Sequence, residues 1–300
     1  MSEALHEIIR EELERPVSMT IAALAEALRG RHQQAAVAVL FYGSCLRASE
    51  AELAEKLPDF YVLVDDYRRA YAKTWLAFAN RILPPNVFCV EVDILDRRLR
   101  AKYAVISVAQ FTHGCSAAAR DTSIWARFSQ PTRLVWSRDA ATSHRVIAAC
   151  SDAVRTMLRN TWPLVPQNLD AASLLTRGFG ETYAAELRPE GSDRGRHIFE
   201  ADRARYECVT SIVLAELAAP ATSPQAAIRA WRSRRRLGKA LNLARLVKAA
   251  FTFEGGLDYV LWKIRRHSGV SVPVSAWQRR HPLLAAPTLA WSLYRRGAFR

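Results

Sequence analysis

The apolar run Ala35 to Tyr42 stops abruptly at Gly43-Ser44, and after fourteen further residues Asp59 opens a second apolar run, Phe60 to Val64. Short apolar runs bounded by turn formers read as strands, so the chain commits early to a sheet with a tight Gly-Ser turn at one strand end. Residues 3 to 14 and 20 to 29 carry helical apolar spacing, the second (Ile21, Leu24, Leu28) with Thr20 as its expected N-cap. A long helical pattern then runs from about Asp66 to Ile82 and is ended by Pro84-Pro85. Val87 to Ile94, Tyr103 to Val108 and Arg133 to Trp136 are the remaining expected strands. Beyond Ala140 the pattern turns helical, with candidates near 140–160, 198–218, 224–235, 239–251 and 257–267. The expected fold class is therefore α+β: a mixed sheet with helices over 1–139, a helical domain over 140–273 and a basic amphipathic tail over 274–300.

Charge divides the chain unevenly. Lys and Arg total 43 against 29 Asp and Glu, yet Arg229 to Arg300 holds 16 of the basic residues and only Glu254 and Asp258 of the acidic ones. The first three quarters are neutral and the last quarter carries the whole excess. With 24% charged and 50% hydrophobic residues the composition is that of a folded globular chain. Cys45, Cys89, Cys115, Cys150 and Cys208 form no C-x-x-C pair, which argues against a disulfide framework or zinc knuckle and for a reducing compartment. The acidic first helix is unlike a targeting peptide, and no apolar run reaches the roughly 18 residues a spanning helix needs. The expectation is a cytoplasmic protein that does not cross a membrane.

Gly43-Ser44 at a strand end can aim amide N–H groups and a hydroxyl at an anion, and Asp59 on a neighbouring strand can hold Mg²⁺ against the same phosphates. Gly-Ser alone is also a common turn; strand, turn, spacing and Asp together carry the signal. Two-metal chemistry wants a second carboxylate two residues on, and Tyr61 stands there. Asp65 has the right parity but lies roughly 20 Å away along the strand, and Asp65 and Asp66 are better placed to cap the next helix. Glu91 and Asp93 share a face of a later strand; if that strand pairs beside Asp59, about 4.8 Å separates the backbones and Glu91 reaches the same ion. In the basic quarter, Arg245 and Lys248 lie on one helical face leading into Gly255-Gly256, an arrangement suited to a phosphate of a nucleotide or a lipid. Pro282 to Tyr294 is an apolar segment bracketed by Arg279-Arg280 and Arg295-Arg296 with Trp277 and Trp291 nearby, as a helix lying on an anionic membrane surface requires. Trp231 among Arg232, Arg234, Arg235 and Arg236 also allows nucleic-acid binding, which the apolar tail disfavours.

The strand, Gly-Ser turn and spaced Asp resemble the nucleotidyltransferase superfamily. More closely, the chain resembles the mitochondrial translocator assembly and maintenance type of phosphatidate cytidylyltransferase, which has bacterial relatives. The matching stretches are Tyr42-Gly43-Ser44, Asp59 to Asp66, Lys102 to Ser107, and Arg245 to Gly256 with its Lys248, Phe251, Thr252 and Gly255. The family's Gly-Arg-Leu before a Lys-Pro appears here as Ala126-Arg127-Phe128 with Gln130-Pro131 after it. The resemblance implies a nucleotidyltransferase domain followed by a helical one, Mg²⁺ as cofactor, CTP and phosphatidic acid as substrates, and a tail touching the inner face of the cell membrane. It implies Gly43 and Ser44 on the triphosphate, Asp59 on the metal, Lys248 on a substrate phosphate, and Tyr103 and Ser107 in the nucleotide pocket wall. An enzyme acting on RNA, and a binding protein on a degenerate version of the fold, are the alternatives.

Overall fold

The computed structural model describes residues 3–53, 56–94, 97–165, 170–186, 193–217, 219–252 and 273–280, together with 285, 288, 289, 291, 292, 295 and 296. The chain runs through α1 (Glu3–Glu14), α2 (Met19–His32), β1 (Ala36–Tyr42), α3 (Glu50–Leu53), β2 (Asp59–Val64), α4 (Tyr67–Ala70), α5 (Thr74–Ile82), β3 (Asn86–Ile94) and β4 (Arg97–Ser107). It continues with α6 (Val108–Cys115), α7 (Trp125–Phe128), β5 (Thr132–Ser137), α8 (Ala140–Thr161), α9 (Ala171–Ala184), α10 (Arg194–Ala201), α11 (Arg203–Leu217), α12 (Pro224–Thr252) and α13 (Ala276–Arg280). The α+β class is as expected.

The five strands form one mixed sheet in the order β3-β4-β2-β1-β5, in which β2 and β4 run parallel and every other pair is antiparallel. Central strands are apolar on both faces because both faces are covered. On β2, Tyr61 and Leu63 join a core with α1, α6, α7 and α8, while Phe60, Val62 and Val64 join a second core under α2, α4 and α5. α1 shows why its sequence folds as it does: Leu5, Ile9 and Leu13 recur at helical spacing and are at most 1% exposed.

Where the elements differ from expectation, a tertiary contact outweighs the local pattern. Ser18, not Thr20, caps α2, accepting from the Ile21 amide. The long helix expected over 66–82 breaks at Tyr71, whose backbone is extended. Its hydroxyl accepts from Asn80 Nδ2 at 2.8 Å, and Asn80 also donates to the Val105 carbonyl and accepts from the Asn86 amide. The buried Asn80 amide, with its nitrogen and oxygen both partnered, rewards the break. The expected 198–218 helix is divided at Asp202 into α10 and α11. Conversely, the helices expected over 224–235 and 239–251 are one, α12. Gly238 lies inside it because a Cβ there would stand 2.6 Å from the Ala185 carbonyl oxygen: glycine permits close passage over the end of α9 rather than a break. The helix expected over 257–267 lies outside the described residues.

Asp139 caps α8 through the Thr142 amide, at the boundary expected between the first two units. The apolar core does not divide there. One cluster extends from Leu5 on α1 through the sheet to Phe179, Tyr206 and Trp231 on the later helices. A nearly buried ion pair, Arg205 Nε to Glu12 Oε2 at 2.6 Å, ties α11 to α1.

Candidate functional site

Register brings the first site residues together. Tyr42, the last residue of β1, pairs with Asp59, the first of β2. Gly43 follows with φ +92° and ψ −164°, a conformation that side chains other than glycine's strain to adopt, and a Cβ there would be 3.7 Å from Asp59 Oδ2. The turn therefore lies directly against the carboxylate, with Ser44 exposed beside it. On the other side of β2, Asp59 is in register with Lys102 of β4, whose Nζ lies 3.0 Å from Asp59 Oδ1.

Tyr61 shares the Asp59 face and is buried, which pushes its phenol up. Its hydroxyl accepts from Arg127 Nη1 at 2.9 Å. Arg127 sits on the one-turn α7, which Trp125 and Phe128 fix in the core on either side of it. Its guanidinium also lies 5.4 Å from the centre of the Tyr42 ring.

α12 supplies the opposite wall. Arg245 Nη2 pairs with Asp121 Oδ2 at 2.5 Å and its Nε donates to the Pro84 carbonyl at 2.8 Å. Burial alone would raise the Asp121 carboxyl, but the Arg245 charge and hydrogen bonds outweigh it and hold it below the usual range. Lys248 Nζ donates to the carbonyls of Leu83 and Pro85. Burial, helped by the neighbouring Arg245 charge, lowers the Lys248 ammonium to about 7.

Two cavities join these parts. A polar one of about 330 Å³ is lined by Gly43, Ser44, Asp59, Arg47, Arg194 and His197 among others. A more apolar one of about 390 Å³ is lined by Val87, Pro85, Leu246, Ala249, Arg245 and Lys248 among others. Tyr42, Lys102, Arg127 and Glu186 line both, so the cavities meet at that point.

Gly43, Ser44, Asp59, Arg245 and Lys248 thus reach one cleft; the other expected residues among those described do not. Tyr103 is one position out of phase with Lys102 and is packed into the opposite face of the sheet, its ring 5.4 Å from Phe88 and 5.8 Å from His32. Ser107 caps α6 through the Gln110 amide at the far end of β4. Neither belongs to the pocket wall. Glu91 as a partner of Asp59 is corrected too: β3 pairs with β4, not β2, so two strand spacings of about 4.8 Å intervene. Glu91 is instead held by Arg100 and Arg98, and Asp93 stands opposite Arg98 on the same strand pair. Asp66 caps α4 through the Arg68 amide, and Asp65 pairs with Arg69 and Arg138, so both serve the far end of β2. Trp231 is buried, donating to the Asn160 carbonyl, and offers no ring face to a base. Gly255 lies outside the described residues. In the tail, Ala285 and Leu289 are buried while Trp277 and Trp291 are exposed.

Lys102 and Arg127 are the cleft residues the sequence reading passed over, although both lie in the stretches it quoted. Strand parity was the available signal: Lys102, Ala104 and Ile106 follow the Asp59 face once β4 is known to pair with β2. Among the described residues no three His, Cys, Asp or Glu side chains gather closely enough to hold a metal. Asp59 together with phosphate oxygens of a ligand fits one Mg²⁺, which is commonly bound through one or two carboxylates and substrate phosphates.

No protein-family model and no curated protein matches the chain. Among solved structures it is similar to a nucleotidyltransferase-like protein from Exiguobacterium sibiricum 255-15, at 13% identity over 93% of this chain and 92% of that one, with a TM-score of 0.27. A likeness of that size carries no argument about chemistry. Among the described residues no helix is long and apolar enough to cross a membrane.

Proposed function

We propose that the cleft is the active site of a nucleotidyltransferase that joins CTP to phosphatidic acid, giving CDP-diacylglycerol and pyrophosphate. The observation that carries the reading is the Gly43-Ser44 turn set against the Asp59 carboxylate at the meeting point of a polar and an apolar cavity. The polar cavity suits the triphosphate. The apolar one suits a lipid acceptor, with Lys248 as the cation for its phosphate.

In the reaction an oxygen of the acceptor phosphate bonds to the α-phosphorus, the bond from that phosphorus to the β-bridging oxygen breaks, and pyrophosphate leaves. The acceptor is already anionic and needs no general base, so this chain's residues work by orientation and charge neutralisation. Gly43 and Ser44 hold the triphosphate, Asp59 holds Mg²⁺, and Lys248 aligns the attacking phosphate. Mg²⁺, when bound, neutralises phosphate charge. Catalysis on phosphatidic acid places the protein peripherally at an anionic membrane face, with the exposed Trp277 and Trp291 of the basic tail as its contacts.

Incubation with each labelled nucleoside triphosphate, Mg²⁺ and phosphatidic-acid vesicles tests the reading. Label should enter the lipid phase from CTP alone; none from any nucleotide would end it. A second reading, nucleotide binding without transfer, is favoured by Asp59 being already paired with Lys102 and by Tyr61 at the second carboxylate's place. Metal-dependent CTP binding with no turnover on any phosphate acceptor is the outcome that selects it.

A further inference from the structure

Arg127 is a charged group held between neutral ones. Its Nη1 donates to the Tyr61 hydroxyl and, at 3.2 Å, to the Ser123 carbonyl, and its flat face lies against the Tyr42 and Tyr61 rings. Among the described residues no carboxylate accepts a hydrogen bond from it, and its Nε and Nη2 have no acceptor; Glu186 and Asp59 are the acids whose charge reaches it. Two neighbouring cations of the cleft differ. Arg245 is neutralised by Asp121 and Lys102 by Asp59. A partly buried guanidinium without a counter-ion is costly, and the cost is recovered when an anion arrives to share its remaining donors. Arg127 lines both cavities, so an anion at their junction meets it directly.

We propose that Arg127 is the cation that binds the di- or triphosphate at the junction of the two cavities, neutralising charge at the reacting phosphates where an ion held by a second carboxylate would otherwise do so, and that Tyr61 is the positioning residue that aims it. The proposal rests on reading the cleft as a site of phosphate chemistry. It explains Tyr61 and Arg127 as one feature. An aspartate at position 61 would pair with Arg127 and cancel its charge, whereas a phenol holds the guanidinium in place and leaves the charge for the ligand. The ligand class is a di- or triphosphate, whose adjacent oxygens match the planar fork of an arginine.

Calorimetric titration of the full chain with inorganic pyrophosphate in EDTA tests this without metal or turnover. The wild type should bind. Arg127→Met should weaken binding about tenfold or more, and Arg127→Lys by less, since a lysine keeps the charge and loses the fork. Tyr61→Phe should cost about two- to fivefold, while Tyr61→Asp should weaken metal-free binding as much as Arg127→Met, by neutralising the guanidinium. A merely structural Tyr61 would not separate those two variants in that way. Thermal unfolding of each variant shows that the site is intact. A folded Arg127→Met that binds pyrophosphate as tightly as the wild type overturns the proposal, as does a wild type that binds none in EDTA. Counting Mn²⁺ bound with CTP to the wild type is independent of any variant: one ion per nucleotide supports the proposal and two overturn it. If pyrophosphate binds as expected but no nucleotide is transferred to any lipid, the proposed activity fails and the role of Arg127 stands.

Discussion

On one face of the sheet Phe60, Val62, Phe88, Tyr103 and Val105 are closed over by α2, α4 and α5; on the other the same strands present Asp59, Tyr61 and Lys102 to two cavities. The strands and registers are common to both faces, so the contrast comes from what packs against them. α2 covers the first face and its His32 ring fills against Tyr71 and Tyr103. On the second face α1, α6 and α8 cover Leu63, Ile106 and the β1 residues Val37, Ala38 and Leu40, and α12 stands off across the cleft. Side-chain identity alone does not separate the faces: tyrosines occur on both, Tyr103 as filling and Tyr61 as a support for a cation.

The largest effect expected from breaking the contrast is at Asp59. Its side chain is 31% exposed at the cleft mouth, so Asp59→Asn should leave thermal unfolding within a few degrees of the wild type. On the proposed activity Asp59 stands beside the triphosphate, and its loss should lower turnover on the order of a thousandfold or more. Labelled-lipid formation measures it, and a variant keeping more than about a tenth of the activity removes Asp59 from the site.

The next effect belongs to the closed face and has the opposite signature. Tyr103→Ala empties a position 5% exposed between Phe88 and His32. Emptying a buried aromatic site costs about 3 to 5 kcal/mol of stability. Pyrophosphate binding per folded molecule should stay within about twofold of the wild type, because the ring points away from the cleft. Weakened binding in a variant of unchanged stability would return Tyr103 to the pocket.

How much of this was legible follows from the range of each contact. The apolar runs and the Gly43-Ser44 turn are local, and they gave the strands, the turn and Asp59. Lys102 against Tyr103, and Glu91 beyond reach of Asp59, depend on β4 inserting between β2 and β3 with β2 and β4 parallel, a pairing that no local pattern states. A shift of one residue in parity exchanges the faces, so the resemblance that put Tyr103 in the pocket wall named a residue one position out of phase with Lys102. Gly238 was unreadable for a similar reason, since only the passage of α12 over Ala185 distinguishes a close approach from a helix break. Lys248 was legible because its helical face with Arg245 is local, although its carbonyl partners on the Leu83 to Pro85 loop were not.

A smaller effect follows on α12, where Lys248 faces the cleft and Lys239 is exposed to solvent. Losing a charge-assisted phosphate contact costs about 1.5 to 3 kcal/mol, roughly ten- to a hundredfold, whereas an exposed lysine contributes close to nothing. Lys248→Ala should raise the KM for the lipid acceptor accordingly and Lys239→Ala should not; equal effects would take Lys248 out of the site.

The smallest and most discriminating effect is the pH dependence of that contact. A lysine is cationic below its pKa, and burial has lowered Lys248 to about 7, so its ability to hold a phosphate should fall as pH rises through neutrality. Bound phosphate raises the pKa in turn, so the loss appears in the free enzyme, in kcat/KM, before it appears in kcat. Lys248→Arg keeps its charge across this range, because a guanidinium does not deprotonate near neutral pH. Ionisation of the acceptor is common to both proteins and cancels in the ratio of their kcat/KM values. That ratio, wild type over variant, should fall by up to about tenfold per pH unit above the lysine's pKa and be flat below it. A ratio constant from pH 6 to 9 would show that Lys248 stays charged throughout, held so by the Leu83 and Pro85 carbonyls despite its burial.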